Sequence, residues 1–230
     1  MPKFAKHGLL FVHIPKNAGR SIEAALLRKA GTPADGRRSL ASRVGKALTT
    51  YGRSSFADEY LIGTIDHSFA AQHLTYAEMQ ILGVLDRAQN KALKPFCVVR
   101  NPYDRAISSV IHFCCADASA PSDPAEFERM LEGWLNRQVE DHNSRSHRRP
   151  QRDFVIDQYG TVVVDEVLRF ETLGDDFARL MQDCGLGEVE LGWRGKSSRS
   201  ETYRDYLTAH ARQLIEREYG ADLEAFGYEF

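Results

Sequence analysis

The amino-acid sequence predicts an α/β fold of three layers, in which helices cover both faces of a central parallel sheet. Short apolar runs alternate with amphipathic stretches along the chain, and this alternation is typical of strands joined by helical crossovers. Polar residues follow several of the apolar runs, at the edge where open α/β sheets place their ligands. With 230 residues, of which 43% are hydrophobic and 27% charged, we expect one domain that spans residues 1–230.

The first predicted strand is the apolar run Leu9–Val12, and a helix is predicted from Ile22. Between them, a proline ends the strand, a glycine lets the backbone bend close to a ligand, and Ser21 can cap the helix. Such a turn directs backbone N–H groups and the positive end of a helix to one place, and Lys16 adds a full charge beside them. We therefore predict an anion site in this loop, most naturally for a phosphate.

A strand is next predicted at Tyr60–Ile65, and His67 follows near its carboxyl end. Thr75 and Glu78 have the spacing of a capping box, which predicts a helix from there to about Ala88.

A second strand-turn-helix unit begins with a strand over Lys94–Val99 and continues into a helix from Ala106 to about Cys115. Arg100 lies at the end of this strand, and its guanidinium can hold a phosphate through two hydrogen bonds. Ser108 follows two helical turns later. An arginine held in a salt bridge at a strand end is the alternative.

The second half of the chain begins with a predicted helix at Asp123-Pro124 that buries one apolar face. The segment His142–Arg152 carries four arginines and two histidines, and it either holds an acidic acceptor or forms a solvated loop. Beyond it come apolar runs at 154–156, 162–165 and 167–171 and an amphipathic helix over 173–184.

Charge is distributed unevenly along the chain. Residues 1–57 hold eleven Lys and Arg against two acidic residues, a local charge of +9, and the net charge of −2 leaves −11 for the remainder. Because the basic part contains the predicted phosphate loop and no nucleic-acid motif, we expect it to attract an anionic nucleotide or substrate rather than nucleic acid; a solvated basic face is the alternative. No apolar run reaches the length of a membrane span or a signal peptide, so we expect a cytoplasmic protein.

Two segments resemble the donor-binding motifs of sulfotransferases that use 3′-phosphoadenosine 5′-phosphosulfate (PAPS), in particular the carbohydrate O-sulfotransferases. HIPKNAGRS resembles their 5′-phosphosulfate loop, usually HIPKTAGTS, with Asn17 and Arg20 at positions that normally carry hydroxyl side chains. VVRNPYDRAISS resembles their 3′-phosphate segment, and a C-terminal FGY extends the likeness from Leu9 to the end of the chain. The resemblance implies a P-loop-like fold and assigns donor binding to Lys16, Asn17, Ala18, Gly19, Arg20, Ser21, Arg100 and Ser108.

A third segment, Trp193–Arg199, stands where relatives commonly carry Asn-x-Ser, with Lys196 at the Asn position. It could close over the nucleotide and place Arg194, Lys196 or Arg199 on the 3′-phosphate; an ordinary loop is the alternative.

The resemblance implies transfer of a sulfuryl group from PAPS to a hydroxyl on a carbohydrate or other small molecule, which leaves 3′-phosphoadenosine 5′-phosphate (PAP). Lys16 would neutralise the leaving oxygen, and a neutral imidazole at His67 suits removal of the hydroxyl proton near pH 7. The stretch around His67 resembles a family GHxxF motif whose histidine is the base in some members. Asp66, Glu59 and His73 are alternatives for the base.

Two other functions are consistent with a phosphate-binding α/β fold. A nucleotide kinase or NTPase would need a Walker lysine and a magnesium-binding carboxylate, and Arg20 stands at the Walker lysine position when Gly19 and Ser21 are aligned. Because no carboxylate of that kind is placed correctly, we expect no metal. A non-catalytic nucleotide-binding module would retain the anion sites without turnover.

Overall fold

A computed structural model describes residues 3–4, 7–29, 73–81, 85, 92–115, 123–139, 142–192 and 202–230. The strands are β1 (Lys3–Phe4), β2 (Leu9–Val12), β3 (Lys94–Val99) and β4 (Glu166–Arg169). The helices are α1 (Gly19–Lys29), α2 (Tyr76–Ile81), α3 (Pro102–Cys114), α4 (Pro124–Asn136), α5 (His142–Arg148), α6 (Leu173–Asp183) and α7 (Ala209–Phe226). Short 3₁₀ turns lie at Arg152–Phe154, Phe170–Thr172 and Tyr203–Tyr206.

The described strands form one sheet in the order β1-β2-β3-β4. β2, β3 and β4 are parallel, with Phe11 opposite Phe96 and Cys97 opposite Val167, whereas β1 runs antiparallel to β2. Parallel neighbours require crossover connections, and β2, β3 and β4 end at the same edge of the sheet. The predicted parallel sheet is therefore confirmed, while the strand predicted at Tyr60–Ile65 lies outside the described residues.

Helices cover both faces of the sheet because successive side chains of a strand point to opposite faces. Leu9, Phe11 and Phe96 belong to a cluster with residues of α1 and α6, whereas Leu10 and Cys97 belong to one with residues of α2 and of the turn at 154–155. Each large apolar side chain buried in this way contributes about 1.5–3 kcal/mol relative to exposure. The predicted three-layer α/β/α architecture is thus confirmed.

A third apolar cluster joins α3, α4 and α7, and it includes Tyr103, Phe127, Trp134 and Ile215. The predicted apolar face of α4 is confirmed. The sequence pattern extends this apolar face to Val139, whereas the helix ends at Asn136.

Two helices begin earlier than predicted. α1 starts at Gly19, so Ser21 lies inside its first turn and is not its cap. α3 starts at Pro102, because Asn101 caps it by accepting a hydrogen bond from the Tyr103 N–H over 3.0 Å and a proline is favourable at the first helical position. The capping box is confirmed: the Thr75 N–H donates to Glu78 Oε2 over 2.8 Å, and the Glu78 N–H donates to Thr75 Oγ1 over 3.1 Å.

One alternative for the second half is excluded, and one apolar run there lies outside the sheet. The basic segment from His142 is not a solvated loop, because α5 forms there and buries Ser146 and His147. The run 162–165 is not a sheet strand: Val162 forms only a single bridge with Ile156, across a turn in which Asp157 Oδ1 accepts two backbone hydrogen bonds. Within the described ranges, no helix has the length and apolar character needed to cross a bilayer.

Candidate active site

The loop between β2 and α1 has the backbone conformation of an anion cradle. Lys16 and Ala18 adopt φ values of 69° and 59°, in the left-handed region that residues other than glycine rarely occupy. The Ser21 and Ile22 N–H groups both donate to the Ala18 carbonyl, at 2.8 and 3.2 Å, where the loop turns into α1. Non-glycine residues held in this region are found at ligand clamps, and such turns direct N–H groups inward. The backbone of this loop is therefore compatible with an anion, and the anion site stays a prediction.

Gly19 is required in this loop by a neighbouring side chain. A Cβ atom at position 19 would lie 1.8 Å from His13 Nε2, so the imidazole occupies the space that any side chain would need. Nδ1 of the same ring lies 2.6 Å from the Glu23 carboxylate, and both residues are buried. The structure thus explains the glycine at position 19 by the position of the His13 ring, whereas the sequence alone suggested the close approach of a ligand.

Asn17 and Gln151 fix the loop to β3. Asn17 is buried, and its Nδ2 donates to the Val98 carbonyl and to Gln151 Oε1, each over 2.7 Å. Gln151 is fully buried and pairs with the backbone of Arg100: Oε1 accepts from its N–H over 2.9 Å, and Nε2 donates to its carbonyl over 2.8 Å. The Asn17 amide nitrogen is therefore committed to holding the loop.

Lys16 is partly buried at the mouth of the loop. Burial, together with the charges of Arg100 and Arg20, lowers the pKa of its ammonium to about 8. No carboxylate among the described residues forms an ion pair with it. Because nearby positive charges and burial destabilise the Lys16 ammonium, an anion bound beside it would stabilise it.

Arg100 is bound to the protein on several sides. Its Nε and Nη2 lie 2.7 and 2.6 Å from Asp104 Oδ2, and Nη1 donates to the Lys16 carbonyl over 3.0 Å. The guanidinium also lies 4.1 Å from the centre of the Phe170 ring. The salt bridge that was the alternative reading is therefore present, and it fixes Arg100 next to the loop. The proposed phosphate partner of the same helix, Ser108, is half-buried on α3.

Four imidazoles form a row beside the loop, which no sequence pattern predicted. Ring centroids are separated by 4.6 Å between His13 and His73, 5.1 Å between His73 and His147, and 5.7 Å between His147 and His112. His73 Nδ1 lies 3.1 Å from the His13 carbonyl, and His147 Nδ1 lies 2.8 Å from the Asn143 carbonyl. These contacts fit N–H donation to a carbonyl from neutral rings.

The electrostatic environment of His73, His147 and His112 disfavours the charged form of these three rings. Burial, followed by the nearby His13 and His147 rings, lowers the pKa of His73 well below its usual range. Burial and the charge of Lys16 are among the causes that lower the pKa of His147 to about 3. Burial, Lys16 and Arg20 lower the pKa of the exposed His112. His112 and His147 are therefore close enough to the loop to respond to its charges.

Several predicted site residues lie outside the described residues. They are His67, its alternatives Asp66 and Glu59, and the nucleotide-covering residues Arg194 and Lys196. His73, the remaining alternative for the base, is described, and only 6% of it is exposed, which separates it from bulk solvent. Gln151 is the residue that sequence reasoning missed, because no motif marks an isolated glutamine that comes 134 residues after its partner Asn17.

A family model described as the sulfotransferase family matches residues 4–229. No curated protein and no solved structure matches the chain.

Proposed function

The chain belongs to the sulfotransferase family, and we propose that it transfers a sulfuryl group from PAPS to a hydroxyl group of a carbohydrate or other small molecule. The observation that carries this proposal is the joining of two anion-binding segments. The loop in which Lys16 has a left-handed backbone conformation is connected to the turn at Arg100. Arg100 Nη1 donates a hydrogen bond to the Lys16 carbonyl over 3.0 Å. PAPS carries phosphate groups at two ends of its ribose, which suits two adjoining cation sites.

In this proposal, the loop residues Lys16 to Ser21 hold the 5′-phosphosulfate through backbone N–H groups and the first turn of α1. Arg100 and Ser108 hold the 3′-phosphate, with Arg194 and Lys196 as further donors. The ammonium of Lys16 stabilises the negative charge that develops on the leaving phosphate oxygen. The positive charges of Arg100 and Arg20 destabilise the ammonium form of Lys16. An anion bound in the loop would relieve this repulsion, which favours an anionic partner.

The acceptor hydroxyl needs a base, and we assign this role to His67. The reaction forms a bond between the acceptor oxygen and sulfur as the bond between sulfur and the leaving phosphate oxygen breaks. The electron pair of the broken bond passes to PAP, beside Lys16, and the hydroxyl proton passes to the imidazole of His67.

The experiment is a thermal-shift comparison of PAP with AMP, which lacks the 3′-phosphate. At about 100 times its dissociation constant PAP should add about 2.7 kcal/mol of stability. For a chain of this length that raises Tm by roughly 5–10 °C, whereas AMP should act far more weakly. Arg100→Ala should remove the difference between the two nucleotides.

Arg179→Ala is the matched control, because this exposed arginine on α6 forms an ion pair with Asp176 at 3.0 Å and belongs to neither anion-binding segment. The control should retain the full difference. Equal responses of the parent protein to PAP and AMP would contradict the assignment of a 3′-phosphate site. Labelled PAPS with a panel of sugar and phenol acceptors then tests turnover and distinguishes an enzyme from a binding module.

A further inference from the structure

His112 is the exposed end of the imidazole row beside the phosphate loop. It lies on α3, one helical turn after Ser108, and its ring stacks on the buried His147 with an angle of 17° between the planes. The edge of the adjacent Phe113 ring is also close, with centroids 4.8 Å apart. These neighbours hold the ring in place and leave part of it accessible to a ligand.

The charged groups that act on this ring are cationic. Lys16 and Arg20, from the phosphate loop and α1, both disfavour its protonation. Behind it, the His147 ring is itself acted on by Lys16, His112 and Arg105. Among the described residues, no carboxylate is found to oppose this lowering of the pKa of His112. The charges of the described residues near His112 therefore favour its neutral form.

We propose that His112 is a third cationic contact for the phosphosulfate end of the donor and that donor binding draws a proton from solvent onto its imidazole. This inference rests on the proposed function and concerns the same site. A dianion placed against Lys16 and Arg20 would offset their two positive charges, and an oxygen of that dianion in contact with the ring would favour the protonated imidazole of His112. The protonated ring can then donate a charge-assisted hydrogen bond to a phosphate or sulfonate oxygen.

Thermodynamic linkage gives this proposal a readout that does not need turnover. If binding takes up one proton, the affinity for PAP falls about tenfold per pH unit between the pKa values of free and bound His112. The pKa of free His112 lies below the ordinary 6.5. The decline in PAP affinity therefore begins near that pKa, continues as the pH rises, and levels off above the pKa of His112 in the complex. Lys16, whose pKa is about 8, produces a separate limb at higher pH.

The test measures PAP binding by calorimetry at pH 7 in two buffers that differ in ionisation enthalpy, with the parent, His112→Gln and His210→Gln proteins. Glutamine keeps a hydrogen-bond donor but cannot titrate. His210 is an exposed histidine on α7 that pairs with Glu132 at 3.1 Å, and it serves as the matched control. The phosphates of PAP titrate near pH 6, and this contribution is common to all three proteins.

We expect the parent and His210→Gln to take up more protons than His112→Gln, by up to one per site. We also expect His112→Gln to bind PAP about tenfold more weakly at pH 6.5, with the gap closing toward pH 8.5. The ring signals of His112 in NMR spectra should show its pKa rising when PAP is added.

Equal proton uptake in His112→Gln and the parent would overturn the inference. PAP binding by both proteins would in that case still support the proposed donor site. A PAP affinity gap that stays constant with pH would also overturn it, since a purely structural role of the ring predicts that result. Failure of the parent to bind PAP at all, or equal binding of PAP and AMP, would instead contradict the proposed function.

Discussion

Arg100 Nη1 donates a hydrogen bond to the carbonyl oxygen of Lys16 over 3.0 Å, which ties the turn after β3 to the loop after β2. The same guanidinium pairs with Asp104, so its plane and position are set by the protein before any ligand is bound. An arginine fixed in this way loses little conformational entropy when it meets a phosphate. The two predicted donor segments therefore form one preorganised unit, and its properties can be tested separately.

Lys16→Ala should lower kcat more than it weakens PAP binding. If the ammonium acts on charge that develops only as the bond to sulfur breaks, its loss should cost about 10²-fold or more in kcat. Calorimetry with PAP and steady-state assays with labelled PAPS measure the two effects. Lys29→Ala, at the exposed end of α1, is the control. A loss confined to binding would make Lys16 a nucleotide anchor only.

The pH dependence of activity should also report Lys16. Only the ammonium form can neutralise the leaving oxygen, and its pKa is about 8, so kcat/KM of the parent should decline as pH rises above 8. Lys16→Arg should be a poor substitute, since a broad guanidinium does not replace a compact ammonium in a tight turn. Whatever activity that variant retains should lack the alkaline decline, because arginine stays charged.

His67→Ala should reduce turnover by about 10²–10⁴-fold, which is the usual contribution of a general base. Its effect on PAP-induced stabilisation should be absent, because the base acts on the acceptor. His210→Ala provides a histidine control on α7. Near-normal turnover of His67→Ala would exclude it and move the assignment to Asp66 or Glu59.

Gly19→Ala should destabilise the protein by about 1–3 kcal/mol, the usual cost of forcing an atom into a packed site. The new Cβ would displace the His13 ring, which lies 1.8 Å from its position. Urea unfolding measures the change. Combining it with His13→Ala should cost less than the sum of the single changes, as expected for residues in contact.

Gly133→Ala is the control for this measurement. Gly133 lies in α4 with nothing within 4 Å of a new Cβ, so alanine should be neutral or stabilise the helix. Additive effects of Gly19→Ala and His13→Ala would contradict the packing explanation.

Acid should destabilise the fold through His147. Its pKa is about 3 in the folded protein, against about 6.5 when unfolded, so between these values the unfolded chain binds the additional proton and stability falls as pH falls. This one residue contributes about 1.4 kcal/mol per pH unit inside that window. His147→Gln should show a shallower loss between pH 6.5 and 5 in urea unfolding. An unchanged slope would indicate that the buried ring does not resist protonation.

The sequence was informative where local rules decide the structure. The parallel strands, the Thr75 capping box and the turn between β2 and α1 each depend on residues within a few positions of one another, and all are present. The start of α3 was predicted too late because Asn101 and Pro102 were assigned to the turn. In the structure Asn101 is the cap of the helix and Pro102 is its first residue. Ser21 was misassigned as a cap for a related reason, since α1 begins two residues earlier.

What the sequence could not provide depends on contacts between distant residues. Gln151 binds Asn17 and Arg100 across separations of 134 and 51 residues, and no periodicity or motif marks it. The imidazole row is likewise assembled from four segments, which carry His13, His73, His112 and His147. His147 of α5 stands between His73 and His112 in this row, and the charge pattern of its segment indicated either an acceptor site or a solvated loop.

Gln151 also determines when the phosphate loop can be completed. Its backbone N–H donates to Asp222 Oδ2 over 2.8 Å, and the Arg152 N–H donates to Oδ1 of the same buried carboxylate over 2.8 Å. A loop encoded near the start of the chain is thus secured by a helix near its end. During synthesis, the loop residues leave the ribosome many seconds before Asp222, at a rate of about 5–20 residues per second. We therefore expect that the loop, and with it the proposed donor site, is completed only after α7 has been synthesised.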